Sequence, residues 1–133
     1  MSSPTNKNKS RPLISVVMTV YNGAEYLEDA VQSILNQSVG DFEFIIINDG
    51  STDDSKDILD RYAERDKRIS VFAHQNMGLT KSLNRGISQA KGQYIARQDA
   101  DDVSYPNRFQ KQIDLFTNDP ALLLVGGTSD DLH

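Results

Sequence analysis

Short apolar runs alternate along the chain with segments of helical spacing. The runs Leu13–Val20 and Phe42–Ile47 are rich in β-branched residues, which is typical of strands buried on both faces of a parallel sheet. Weaker runs of the same kind are Ile69–Phe72, Tyr94–Ala96 and Leu122–Val125. We therefore predict up to five strands, of which the first two are the best defined.

Four other segments repeat apolar residues at intervals of three and four, which is typical of helices with one apolar face. Ser51, Thr52 and Asp53 are N-cap residue types before the second helix, Gly92 is expected to end the third, and Pro106 lies near the first turn of the fourth. The apolar positions are Leu27, Ala30, Val31, Ile34 and Leu35 in a first helix over residues 24–38; Ile58, Leu59 and Tyr62 in the second; Leu79, Leu83, Ile87 and Ala90 in the third; and Phe109, Ile113 and Phe116 in the fourth.

This alternation of strands and helices predicts an α/β fold. Right-handed crossovers then give a mostly parallel central sheet with helices on both faces. A length of 133 residues suits one compact domain with its own core, which we place at residues 11–133. Residues 1–10 are polar and lack the apolar segment of a secretory signal, so we interpret them as a flexible N-terminal arm.

Composition excludes several classes of function. The net charge of −5 disfavours a nucleic acid partner, which needs a positive surface, although a bound metal ion could still attract a small anion. The absence of cysteine excludes disulfides and thiolate metal sites. No apolar run approaches the length of a transmembrane segment.

Polar clusters follow three of the predicted strands. They are residues 19–23, 48–54 and 98–102. Ligands of open α/β sheets bind beyond the carboxyl ends of the strands, and these ends meet at one edge of a parallel sheet. We therefore expect the three clusters to converge into one site.

The third cluster contains the acids Asp99, Asp101 and Asp102. Carboxylates this close together can share one hard divalent cation, and Mg²⁺ and Mn²⁺ combine few carboxylates with phosphate oxygens and water. The alternative is a solvated acidic turn before the fourth helix. The position of the cluster after a buried strand favours the metal site.

The other two clusters contain polar side chains that suit a nucleoside. Asp49 could accept an N–H or O–H from a base or ribose, or it could only shape the turn at Gly50. Tyr21 could stack on a base, or it could pack next to an ordinary Asn22–Gly23 turn. We expect solvated or ion-paired basic residues near this edge to have a lesser role, and His74 to have no catalytic role. These basic residues are Lys81, Arg85, Arg97 and Arg108.

Taken in order and spacing, several motifs resemble the family-two glycosyltransferases of the GT-A fold over nearly all of residues 12–127. The matching stretches are Ser15–Asn22, Ile47–Asp53, Asn76–Leu79, Asn84–Ile87, Lys91–Ile95 and Asp99–Asp102, followed by Pro106 and Arg108. The resemblance implies a Rossmann-like GT-A fold.

The resemblance also implies a nucleotide-sugar donor, most often a UDP-sugar, and Mg²⁺ or Mn²⁺ as cofactor. By this likeness Asp101 binds the metal that bridges the diphosphate, and Asp99 faces the ribose or a water on that metal, so both are implied metal-site residues. The metal then acts as a Lewis acid on the leaving nucleoside diphosphate. The implied donor-binding residues are Thr19, Tyr21, Asn22, Asp49, Lys81, Asp99 and Ala100.

Two features depart from the family pattern. Asn48 replaces the first acid of a paired Asp-Asp, and Ser82-Leu83-Asn84 replaces Ala-Arg-Asn, so Lys81 is the candidate for the missing arginine. Members usually continue well past the third cluster. We therefore expect this chain to be the N-terminal, donor-binding part of a truncated enzyme, without the acceptor half and its general base.

The function implied is a cytoplasmic hexosyltransferase that inverts the anomeric centre in cell-envelope or capsule polysaccharide synthesis. The acceptor would be a glycan or a lipid-linked sugar. Two questions stay open: whether the protein associates peripherally with the inner face of the membrane, and whether it forms homo-oligomers. The alternatives are a donor-binding fragment without turnover and an Asp-dependent phosphohydrolase, which normally carries its Asp-x-Asp loop after the first strand.

Overall fold

A computed structural model of the chain describes residues 11–118. Its four strands are Ile14–Val20 (β1), Phe42–Asn48 (β2), Ile69–Ala73 (β3) and Tyr94–Asp99 (β4). They form one sheet in the order β3-β2-β1-β4, and every pairing is parallel. The predicted α/β fold is confirmed. The predicted strand at Leu122–Val125 lies outside the described residues.

The four predicted helices are present with small changes in their bounds. They are Ala24–Leu35 (α1), Ser55–Arg65 (α2), Leu79–Ser88 (α3) and Arg108–Asn118 (α4). Helix α1 is shorter than predicted and ends before Asn36. Helix α4 begins two residues after Pro106, and the side chain of Phe116 is outside the described part. Among residues 11–118, no helix is both long and apolar enough to cross a lipid bilayer.

The main core lies between one face of the sheet and helices α1, α2 and α4. Alternate residues of the strands point to this face, as Val16 of β1 and Phe44 of β2 do, and both are fully buried. They pack with residues such as Leu27 of α1, Leu59 of α2 and Phe109 of α4. The ring of Phe109 meets that of Phe42 edge to face, with 5.8 Å between centroids.

Helix α3 covers the opposite face of the sheet in a way that the sequence analysis did not predict. Its expected apolar face is wrong, because Leu79 is 55% and Ile87 38% exposed, while Ser82 and Gly86 are buried. A Cβ atom at Gly86 would lie 2.5 Å from the Val17 side chain. The helix backbone, rather than a row of large side chains, is therefore what packs on β1 and β2.

The strand order creates a crevice at the carboxyl edge of the sheet. The chain moves outward from β1 to β2 and β3, and then returns to place β4 on the other side of β1. This reversal is the topological switch point at which open α/β sheets bind ligands. Thr19 at the end of β1 pairs with Asp99 at the end of β4. The first and third polar clusters are therefore brought side by side.

Candidate functional site

Two adjoining clefts open at this edge. One has a volume of about 220 Å³ and runs between the end of β1 and Asp49, Asn76 and Gly78. The other has a volume of about 330 Å³ and reaches from β1 to Ala100 and Asp101. The residues that line both clefts are Thr19, Tyr21 and Leu79. We call the first the Asp49 cleft and the second the Asp101 cleft.

The acidic residues of the third cluster converge at one end of this surface. Asp99, Asp101 and Asp102 each offer a carboxylate oxygen, and these three atoms lie within 4.8 Å of one another. Like charges this close repel each other unless a cation or a proton lies between them. An all-oxygen ligand set fits a hard divalent cation such as Mg²⁺ or Mn²⁺. The geometry therefore suits the predicted metal site.

A buried amide holds the backbone of the acidic loop. Gln98, 1% exposed, donates from Nε2 to the carbonyl oxygens of Asp99 at 3.2 Å and Asp102 at 2.7 Å. Its Oε1 accepts from Ser104 Oγ and from Arg108 Nη1. Arg108 also donates to the Arg97 carbonyl. Arg108 is buried in this network. It therefore supports the acidic loop from inside the protein, and its guanidinium is not accessible to a diphosphate bound at the surface.

Asp49 is buried at the end of β2, and it already accepts several hydrogen bonds from its own chain. Its Oδ1 accepts from the Met77 N–H at 2.8 Å, and its Oδ2 accepts from the Gly78 N–H at 3.2 Å. Burial raises the pKa of this carboxyl. The hydrogen bonds from Met77, Ser82, Gly78 and His74 outweigh burial and lower the pKa below its ordinary value. Asp49 is therefore ionised at neutral pH.

The remaining candidates of the first cluster have different surroundings. Tyr21 is 55% exposed at the mouth of both clefts, where its ring is available for stacking. Asn22 lies in the left-handed region at φ 53°, and its Oδ1 accepts from the Thr52 N–H at 2.7 Å. Asn22 thus joins the first two polar clusters as well as lining the Asp101 cleft.

The predicted residues are not all brought together. Lys81 is exposed on α3 and lines neither cleft. Arg97 lies 3.6 Å from Asp99 between Nη2 and Oδ1, and both side chains are well exposed, so this ion pair is weak. Arg85 instead donates to His74.

Sequence reasoning missed Gln98 and His74. Gln98 follows Tyr94 and Ala96 at alternate positions of β4, so it points to the core face, and a polar residue there is a detectable signal. His74 offered no such signal, because its contacts with Asp49 and Ser82 depend on how α3 packs.

Comparison with known proteins shows the family of this chain. The model of glycosyl transferase family 2 matches residues 15–130. The chain belongs to this family. The resemblance inferred from the sequence motifs is therefore confirmed, and family-two members are glycosyltransferases, so the enzyme class that we predicted is confirmed too.

One relative of this family-two chain is named for teichuronic acid biosynthesis. It is 39% identical, over 105 residues, to a putative teichuronic acid biosynthesis glycosyltransferase, TuaG, of Bacillus subtilis. That alignment covers 78% of this chain and 42% of TuaG. The chain spans less than half the length of the curated relatives that it matches.

Solved structures confirm the GT-A fold. The crystal structure of S. aureus TarS in complex with UDP-GlcNAc superposes with a TM-score of 0.73 at 25% identity, covering 80% of this chain and 31% of that one. A structure of GalNAc-T7 with UDP, GalNAc and Mn²⁺ superposes with a TM-score of 0.72 at 25% identity, covering 82% and 22% of the two chains.

Proposed function

We propose that this family-two chain binds the nucleoside diphosphate of a UDP-sugar together with a divalent cation. One observation carries the proposal: Asp101 of the acidic cluster lines the same cleft as Thr19 and Tyr21. A ligand with a flat base at one end and a diphosphate at the other matches two adjoining clefts that end at a group of carboxylates. The UDP-GlcNAc complex of TarS supports this choice of donor.

In this proposal each part of the site has its own task. Tyr21 and Thr19 hold the nucleoside, and Asn22 and Ala100 line the path to the diphosphate. Asp101, with Asp99, holds Mg²⁺ or Mn²⁺. When bound, the metal neutralises charge on the departing diphosphate as a Lewis acid. Gln98 and Arg108 keep the acidic loop in place through its backbone.

For the whole protein we propose sugar transfer with inversion to a glycan or lipid-linked acceptor in cell-envelope polysaccharide synthesis. The likeness to TuaG supports this assignment. We also propose a cytoplasmic site of action, at or near the inner face of the membrane. In this proposal the acceptor contacts and the general base lie outside the described residues, since Asp99, Asp101 and Asp102 are all assigned to the candidate metal site.

Calorimetric titration of UDP tests the donor site. We expect binding in the presence of Mn²⁺ and loss of most of it when EDTA replaces the metal. Asp101→Ala should weaken metal-dependent binding by at least about tenfold, because even outer-shell changes at metal sites have effects of that size. Glu64→Ala, which removes an exposed acid on α2, is the matched control. A UDP affinity that changes neither with EDTA nor in Asp101→Ala would rule out the metal site.

A further inference from the structure

A histidine and an arginine lie behind the Asp49 cleft, and the proposed function gives them no task. His74 directly follows β3, and Arg85 lies on α3. Nη1 of Arg85 is 2.6 Å from Nδ1 of His74. The other ring nitrogen, Nε2, lies 3.1 Å from Asp49 Oδ1 and 2.9 Å from Ser82 Oγ. A continuous chain of polar contacts thus runs from Arg85 to Asp49.

The arginine determines the tautomer of the histidine. A guanidinium group can only donate hydrogen bonds, so Nδ1 of His74 must present a lone pair to Arg85. The proton of the neutral ring is then on Nε2, from which it is donated toward Asp49 and Ser82. The hydrogen bonds therefore have one direction, from Arg85 through His74 to the Asp49 carboxylate.

The Asp49 carboxylate has no acceptor site to spare. An ionised carboxylate offers about four lone-pair sites, and here five donors approach it. They are His74 Nε2, Asn76 Nδ2, Met77 N, Gly78 N and the Ser82 hydroxyl. Asp49 thus fastens residues 74–78 to the end of β2. A donor base that reached Asp49 would have to displace one of these groups, and two of the donating residues, Asn76 and Gly78, line the cleft.

The fastened segment also forms a wall of the Asp49 cleft. Asn76 and Gly78 line this cleft, and Leu79, which begins α3, lines it as well. The segment lies directly against Gly50, since a Cβ atom there would be 2.6 Å from the Asn76 nitrogen. A shift of the Asp49 carboxylate would therefore change the shape of the cleft.

We propose that His74 and Arg85 are positioning residues for donor binding: they orient Asp49, which in turn holds residues 74–78 as a wall of the nucleoside cleft. Neither residue lines the cleft itself, so both act through Asp49. The inference rests on the proposed function only in that a nucleoside occupies this cleft.

The test combines three variants with two readouts in the ligand-free protein. His74→Phe removes the donor to Asp49, Arg85→Met removes the guanidinium, and His74→Gln restores an amide donor. Imidazole nitrogen NMR, in a His133→Ala background with a single histidine, reports the tautomer. Amide hydrogen exchange reports the N–H groups of Met77 and Gly78. Arg65→Met is the control, because the guanidinium of Arg85 lies 5.5 Å from the centroid of the Phe72 ring and that of Arg65 lies 5.8 Å from the centroid of the Tyr62 ring.

We expect the His74 ring to carry its proton on Nε2 in the parent protein, because Arg85 faces Nδ1 and the Asp49 carboxylate faces Nε2. Exchange at Met77 and Gly78 should accelerate in His74→Phe and Arg85→Met, and recover in His74→Gln. UDP affinity with Mn²⁺ should fall roughly tenfold in the same two variants, about the effect of one lost hydrogen bond to a charged group. Arg65→Met should change none of these.

The two ideas can fail separately. If the parent protein binds no UDP while the tautomer and amide protection are as expected, the donor proposal fails and the positioning of Asp49 stands. If UDP binds equally well to the parent, His74→Phe and Arg85→Met, the positioning role is wrong. A ring protonated on Nδ1, or unchanged exchange in both variants, also overturns it.

Discussion

Single residues that line neither cleft help to determine the geometry of the candidate site. Gln98 is the clearest case, because its buried amide donates to two carbonyl oxygens of the acidic loop. We predict that Gln98→Met, which keeps the length but removes both donors, weakens Mn²⁺-dependent UDP binding roughly tenfold, as outer-shell changes at metal sites do.

Calorimetry on Gln98→Met and Gln93→Met separates this role from a general effect of the substitution. Gln93 is exposed and lies just before β4, at the opposite end of the strand from the acidic loop. Equal UDP affinities in the two variants would contradict the supporting role of Gln98.

Gly50 is a second residue on which the geometry of the site depends, because its position leaves no room for a side chain. Its φ is +79°, and an added Cβ would meet the Asn76 nitrogen at 2.6 Å. We predict that Gly50→Ala lowers the free energy of unfolding by about 2 kcal/mol, the middle of the range for a strained backbone position. Urea denaturation measures this. Gly40→Ala, where the nearest atom is 3.8 Å away, should differ little from the parent, and a similar loss in both would refute the steric explanation.

The sequence predicted well which residues come together at the site. It predicted less well what each of these residues contacts. Thr19, Tyr21, Asp49 and Asp101 do line the two clefts, because each lies at or just after the carboxyl end of a strand of one parallel sheet. The internal donors around Asp49 come from residues 74–78 and from α3. Such contacts depend on the conformation of a loop, which has no periodicity in the sequence.

At the scale of elements, helix α3 depends on one small residue. Alanine normally stabilises a helix relative to glycine by about 1 kcal/mol. At Gly86, however, a Cβ atom would lie 2.5 Å from Val17 and 3.2 Å from Ile47. We predict that Gly86→Ala is destabilising by about 1–3 kcal/mol, as overpacked core positions are.

Thermal and urea unfolding of Gly86→Ala test this packing. Ser88→Ala, an exposed change on the same helix, should stay within about 0.5 kcal/mol of the parent. A stabilised Gly86→Ala protein would mean that α3 can move away from the sheet at no cost.

Helices α1 and α2 share a capping carboxylate. Asp53 accepts from the Ala24 N–H at 3.1 Å and from the Ser55 N–H at 2.9 Å, so it joins the first turns of both helices. The hydrogen bond from the Ser55 side chain is the largest influence on the pKa of Asp53, and with the backbone hydrogen bonds it outweighs burial and lowers that pKa. The sequence analysis assigned Asp53 to capping; its bond to α1 was not foreseen.

The lowered pKa of Asp53 predicts the direction in which stability changes with pH, and this direction can be tested. Its contribution to stability is present above the ordinary carboxyl pKa of about 4 and is lost as the pH falls through the lower folded value. We predict that Asp53→Asn unfolds more easily at neutral pH and loses less stability on acidification. Urea denaturation at several pH values measures both, with the exposed Asp57→Asn as control. Parallel curves for the parent and Asp53→Asn would contradict the linkage.

Element types were more predictable than the faces that elements use. The strands β1 and β2 are continuous apolar runs, so their parallel, doubly covered position could be inferred from composition alone. The apolar spacing of α3 did not reveal which face of the helix packs on the sheet, because Leu79 lines the two clefts instead. An apolar residue that lines a cleft need not be part of the core.

At the scale of the whole molecule, the proposed donor site lies within the described residues 11–118, and we propose no general base among them. It spans less than half the length of its curated relatives. The three acids nearest the proposed diphosphate form one candidate metal site, and a carboxylate that binds a cation there would have little tendency to take up a proton from an acceptor hydroxyl. We therefore predict that the 133-residue chain binds UDP with Mn²⁺ but transfers no sugar.

Release of UDP from UDP-GlcNAc, measured alone and with added saccharide acceptors, tests this prediction. The Asp101→Ala variant gives the background that does not depend on the site. We expect the parent chain and Asp101→Ala to release UDP at the same slow rate, although only the parent binds UDP tightly. Release by the parent above that background, and faster with an acceptor, would mean that a residue of this chain activates the acceptor. The general base would then have to be sought among these 133 residues.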